Sequence, residues 1–167
     1  IKHLLAAVPQ LDPTRVEDLI VGNAVPEAEQ GMQIGRMISV RALPETTAGV
    51  TVNRYCGSGI ETISMAVAKI RAGMAECIIA GGTESMSLVP TVGWRTALNF
   101  EVAKTHPDYY LGMGLTAEQV AKEYGITREQ QDEFAYNSQM KALNAIKKGH
   151  FKSGICPLNV KEVLVKN

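Results

Sequence analysis

Hydrophobic and polar positions alternate between two periods along the first half of the chain. Residues 18–25 (DLIVGNAV) form a short apolar run bounded by Pro26. Residues 49–55 (GVTVNRY) are β-branched and short, and residues 76–80 (ECIIA) form another apolar run ending in Gly81-Gly82. Each predicts a short buried strand. Between them the period lengthens. Residues 33–43 predict a helix closed by Pro44. Ile60, Ile63, Val67 and Ile70, spaced three or four apart, share one face of a second helix, with Gly73 as its stop. Upstream, residues 4–8 read as the end of a helix stopped by Pro9, and Asp12-Pro13 offers an N-cap and first helical position for a single turn over residues 12–17. Strand and helix alternating through short connections imply an α/β domain with a mostly parallel sheet.

The pattern changes after Gly82. Residues 85–110 carry two prolines, Trp94 and Asn99 with little periodicity, and predict a long irregular excursion of the kind that is functional or mobile. Two helices follow, each announced by a capping box: Thr116 with Gln119, and Thr127 with Gln130. The second, to about residue 148, places Phe134, Ala135, Ser138, Ala142, Ala145 and Ile146 on one face, with Gly149 at C′. Buried strands give way to amphipathic helices, which predicts a subdomain boundary near residues 111–116. Neither an internal repeat nor a low-complexity segment is present.

Composition adds exclusions. The 167 residues are 46% hydrophobic, with 17 Lys plus Arg against 17 Asp plus Glu, giving zero formal net charge. A neutral balance without a basic block gives no electrostatic case for nucleic acid or an anionic membrane. No apolar run approaches the roughly 20 residues that span a bilayer. Three widely spaced cysteines, Cys56, Cys77 and Cys156, argue against a disulfide framework or zinc site and for a reducing compartment, the cytoplasm or an organelle matrix.

Cys56 is the sharpest chemical candidate. It stands where a predicted strand hands over to a predicted helix, followed by Gly57-Ser58-Gly59, small residues that let a ligand approach the backbone. Unpaired N–H groups and the positive dipole end of the helix favour a thiolate there, and the same groups could polarise a carbonyl under attack. A buried structural cysteine is the competing reading.

The stretch VNRYCGSGIETISMAVAKI, residues 52–70, resembles the active-site signature of the thiolases. Two further stretches are similar to the same family in the same order: AGGTESMS at residues 80–87 to its glycine-rich turn, and MGLTAE at residues 113–118 to the opening of its CoA-binding loop domain. The helix containing REQQDEFAYNSQMKA and the following GHFKSGICP fit the pattern expected next.

The resemblance implies a thiolase-like layered α-β-α fold. Residues 1–112 would be the N-terminal core domain without its first strand, residues 113–167 the start of the loop domain, and the C-terminal domain would lie beyond Asn167. It implies a 3-ketoacyl-CoA thiolase (acetyl-CoA C-acyltransferase) of fatty-acid β-oxidation, with Cys56 as the acylated nucleophile and Met113 beside the acyl and pantetheine pocket. Coenzyme A and acyl-CoA would be substrates, with no permanently bound cofactor and no metal. Self-association as a homodimer or homotetramer, and β-oxidation partner enzymes, are implied in the same way. Where many members carry His before that methionine, this chain has Gly112. The family's Gly-His-Pro histidine, second cysteine and Asn-Glu-Ala motif do not occur in it. His106-Pro107 lacks the preceding glycine, and His3, His106 and His150 read as exposed or capping residues.

The remaining candidates read blandly. Cys77 and Cys156 suit packing roles. Glu84 in the glycine-rich turn suits a structural hydrogen-bonding role better than that of a general base. Lys141, Lys147, Lys148 and Lys152 suit a solvated helix end better than phosphate steering. Two alternatives stand beside the leading one: a biosynthetic acetoacetyl-CoA thiolase, and a non-catalytic thiolase-like fragment, for which an intact mass near 18 kDa in the native source would speak.

Overall fold

The computed structural model describes residues 1–160. They fall into two compact units, the first Ile1–Ala97 and the second beginning at Leu98.

The first unit is built on a parallel three-stranded sheet in the order β2-β1-β3, with β1 Asp18–Gly22, β2 Ala48–Val52 and β3 Ile78–Gly82. In register, Gly22 lies between Val52 and Gly82. Central β1 is buried at every position, which is why its sequence reads as an apolar run. Val16, Leu19, Val21 and Leu43 form a core cluster, and Ile38, Cys77 and Ile79 pack against it. Cys77 thus has the packing role expected of it.

Side chains set the strand limits. Beyond Gly22 the backbone leaves the ladder: Asn23 N–H donates to Val52 C=O at 3.0 Å and Ala24 N–H to the Glu84 carboxylate at 2.8 Å. β1 therefore stops three residues before the expected end. β3 starts and ends two residues later than expected. The Glu17 carboxylate accepts the N–H groups of Glu76 and Cys77, and Gly81-Gly82 continue the ladder because pairing needs only backbone.

Helix α1 spans Lys2–Ala6 and α2 spans Ile34–Ala42. The Asp12 side chain accepts from Thr14 N–H at 2.9 Å and caps the expected single turn, Pro13–Arg15. α2 lies hard against β2. Gly35 N–H donates to Thr51 Oγ1 at 3.0 Å, and Ser39 Oγ donates to Thr47 C=O at 2.8 Å. This approach requires glycine on both surfaces: a Cβ on Gly35 would stand 2.2 Å from Val50 O, and one on Gly49 2.8 Å from Arg36 Cα.

Helix α3, Ser58–Arg71, packs on the sheet with an unexpected face. Its buried residues are Ser58, Thr62 and Ala66. The Lys69 ammonium pairs with Asp18 at the start of β1. Ile60, Ile63, Val67 and Ile70 do share a face, as their spacing predicts, but that face is turned away from the sheet, with Ile60 79% exposed. Gly73, at φ 69°, ends the helix.

The second unit contains α4 (Phe100–Thr105), α5 (Met113–Tyr124) and α6 (Arg128–Lys147). None of these helices has a buried residue. The excursion expected to be irregular holds α4, capped by Asn99, whose Oδ1 accepts from Val102 N–H at 3.1 Å. The capping box expected at Thr116 is not made. α5 starts at Met113, and Thr116 Oγ1 instead donates back to Gly112 C=O at 3.2 Å. The box at Thr127 is complete, with Thr127 N–H donating to Gln130 Oε1 and Gln130 N–H to Thr127 Oγ1. Thr127→Ala should cost about 1 kcal/mol of local stability. Faster amide exchange confined to the first turn of α6 would register it.

Candidate active site

The end of β2, the start of α3 and the turn after β3 meet around Cys56. Asn53 Oδ1 accepts from Tyr55 N–H at 2.9 Å, and Tyr55 adopts a left-handed backbone at φ 45°. A non-glycine residue there is strained unless its surroundings over-determine it. Ser58 does much of that fixing, since its Oγ accepts from Arg54 N–H at 2.9 Å and donates to Tyr55 C=O at 2.6 Å. The Arg54 guanidinium in turn pairs with Glu61 on α3 at 2.8 Å. The chain thereby reverses sharply and presents Cys56 two residues ahead of the helix.

Cys56 is exposed, and it lines an open cleft of about 490 Å³. Gly22, Tyr55, Ser58, Gly59, Gly82 and Met86 contribute to the same lining. Gly22 cannot be larger, because a Cβ there would come within 2.9 Å of the Ser58 backbone. That contact seats the helix terminus against β1. At the start of α3 the Gly57 and Ser58 N–H groups donate to Arg54 C=O and Tyr55 C=O at 3.0 Å, which ties the turn carrying Cys56 to the helix terminus. An exposed thiol just ahead of a helix terminus, on a mainly apolar cleft, can attack a carbonyl carbon.

Glu84 also lines the cleft, but its carboxylate is committed elsewhere: it accepts from Ala24 N–H at 2.8 Å, Gln30 Nε2 at 2.7 Å and Asn23 Nδ2 at 3.2 Å. This is the structural role its sequence context suggests. Gln30 gave no signal in the sequence; it lies in a 3-10 turn, Ala28–Gln30, that follows no periodic pattern. Fully buried Asn23 was likewise hidden inside an expected strand.

Met113, the other candidate, is the exposed first residue of α5 in the second unit. His106 is exposed at the end of α4, its Nδ1 2.8 Å from Thr105 Oγ1, and His3 and His150 are exposed. Lys141, Lys147, Lys148 and Lys152 are all exposed, and so is Cys156. Among the described residues no group of His, Cys, Asp and Glu could hold a metal ion, and no helix is long and apolar enough to cross a membrane.

Comparison with known proteins identifies the family of the chain. The chain is 50% identical over 146 residues to a 3-ketoacyl-CoA thiolase of Bacillus subtilis (strain 168), covering 87% of this chain and 37% of that protein. It is 40% identical over 173 residues to an acetyl-CoA acetyltransferase of Escherichia coli (strain K12), covering 90% and 42%. The crystal structure of the Bacillus anthracis acetyl-CoA acetyltransferase superposes with a TM-score of 0.77 at 33% identity, covering 96% of this chain and 44% of that one. The chain thus spans about two-fifths of the length of these relatives. The family profile described as Thiolase, N-terminal domain matches residues 1–166, and the chain belongs to the thiolase family.

Proposed function

We infer that the protein, at its full natural length, is a 3-ketoacyl-CoA thiolase acting in the degradative direction of fatty-acid β-oxidation. The observation that carries this reading is the exposed Cys56 at the start of α3, on a cleft whose lining is mainly apolar. The Cys56 sulfur attacks the 3-keto carbon of a 3-oxoacyl-CoA. The C2–C3 bond then breaks, its electron pair goes to C2, and protonation there releases acetyl-CoA. The acyl group stays on sulfur as a thioester until the thiol of free CoA takes it and restores Cys56. Two half-reactions sharing one enzyme form make the kinetics ping-pong. The Cys56 N–H serves as one donor to the oxyanion. Residues 1–112 act as the N-terminal core, and residues from Met113 onward open the CoA-binding loop domain, with Met113 against acyl and pantetheine groups. Self-association as a homodimer or homotetramer follows from the family resemblance. A reducing, cytoplasmic setting suits the free thiols.

Steady-state rates on 3-oxoacyl-CoA substrates of increasing chain length test this reading. Turnover of long chains is expected. A strict preference for the four-carbon substrate would favour acetoacetyl-CoA thiolase instead, the reading to which the two relatives named acetyl-CoA acetyltransferases lean. Thiol labelling supplies a second check: a small alkylating reagent should modify Cys56 ahead of Cys156 and Cys77. Exposure alone separates only Cys77, so faster reaction at Cys56 than at exposed Cys156 reads its helix-terminal setting. Equal rates at all three thiols would count against an activated nucleophile.

A further inference from the structure

The Glu84 carboxylate occupies a junction that the acyl transfer does not use. Its Oε1 accepts from Asn23 and Gln30, and its Oε2 from the Ala24 N–H. These donors all lie on the segment that follows β1. Gln30, 4% exposed, completes the link by accepting from Ser85 N–H, while its Nε2 also donates to Val25 C=O at 2.8 Å. Asn23 Nδ2 donates to Thr83 C=O at 2.8 Å. The turn after β1 and the turn after β3 are thereby fastened side by side at one end of the sheet, and both contribute to the cleft. Past Ser85 the chain makes one helical turn, with Leu88 and Val89 N–H groups donating to Ser85 C=O. Val89 is buried beneath it, and Met86 is left exposed on the cleft.

We propose that Glu84 is a positioning residue for the apolar side of the Cys56 cleft: through Asn23, Ala24 and Gln30 it fixes the turn carrying Met86 and Thr91, and so sets how well an acyl chain is received beside the nucleophile. The proposal takes from the acyl-transfer reading only the identity of that chain. Glu84→Gln has nearly the same shape, but its amide N–H groups must face the N–H donors that the carboxylate accepts, which loosens the junction without emptying it. Gln30→Met cuts the same junction from the other side.

The test labels Cys56 in the full-length protein with iodoacetamide and with N-dodecyl iodoacetamide, following the Cys56 peptide by mass spectrometry. Wild type should favour the chain-bearing reagent, and that preference should fall about fivefold in Glu84→Gln, with Gln30→Met moving the same way. Turnover of 3-oxoacyl-CoA should change mainly through a raised KM. A wild type with no preference, or a ratio unchanged in both variants, overturns the proposal. Equal slowing of both reagents also overturns it, because Glu84 would then act on the thiol itself or on folding at large. Labelling needs no turnover. A wild type that fails to catalyse thiolysis therefore sinks the acyl-transfer reading alone, while the labelling ratio still decides the role of Glu84.

Discussion

Cys56→Ala in the full-length protein is expected to abolish acyl transfer, lowering kcat by about ten-thousandfold or more, because the acyl group then has no covalent carrier. The alanine side chain fits wherever the thiol did, and Cys56 is exposed and outside the core cluster, so folding should be unaffected. Thermal unfolding of the variant should superpose on wild type. The diagnostic measurement is single turnover with 3-oxoacyl-CoA radiolabelled at C3 or beyond, the part that stays on sulfur, quenched in acid. Wild type should retain label on protein in the absence of free CoA, and the variant should retain none. Label retained by the variant on another residue would show that a different group is the nucleophile. Cys156, the other exposed thiol, offers the internal control, since its substitution by alanine should leave the acyl-enzyme intact.

Gly35→Ala is expected to lower the stability of the first unit by about 2–4 kcal/mol. The new methyl would lie 2.2 Å from Val50 O and 2.6 Å from Val50 C, so helix or strand must move. Both are backbone, and the hydrogen bonds from Gly35 N–H to Thr51 and from Ser39 to Thr47 would stretch with the shift. Urea unfolding followed by far-UV circular dichroism measures the change. A midpoint within error of wild type would mean that α2 has slack that its hydrogen bonds do not suggest. Gly59→Ala is the matched control, because a Cβ there meets nothing within 4 Å.

Much of the first unit can be read from local pattern. The apolar runs became parallel strands because a central strand covered on both faces carries no alternation to mislead the reader, and β1 is such a strand. The limits of those strands were not legible. They depend on Glu17, Asn53 and Glu84 reaching backbone groups distant in sequence or turning the chain sharply, and periodicity does not record such reach. Capping was half legible: Thr127 and Thr116 carry the same spacing, yet α5 begins a turn early and leaves Thr116 inside it. At the site, the cysteine and its small neighbours announced themselves, and the resemblance named their chemistry. Gln30 and Asn23 did not, because a polar side chain buried through tertiary contacts looks in sequence like any other surface amide.

The two faces of α3 bear on how firmly Cys56 is held. Toward the sheet the helix offers Ser58, Thr62 and Ala66, side chains with little dispersion energy to contribute. Ile60, Ile63, Val67 and Ile70 point the other way, while Met65 is half-buried. The Lys69–Asp18 ion pair ties the far end of the helix to β1, the Thr62 hydroxyl donates to Gly81 C=O at 3.3 Å, and Gly22 lets the N-terminal end beside Cys56 sit close against the sheet. The aim of the sulfur therefore depends on polar and close backbone contacts more than on bulky apolar packing.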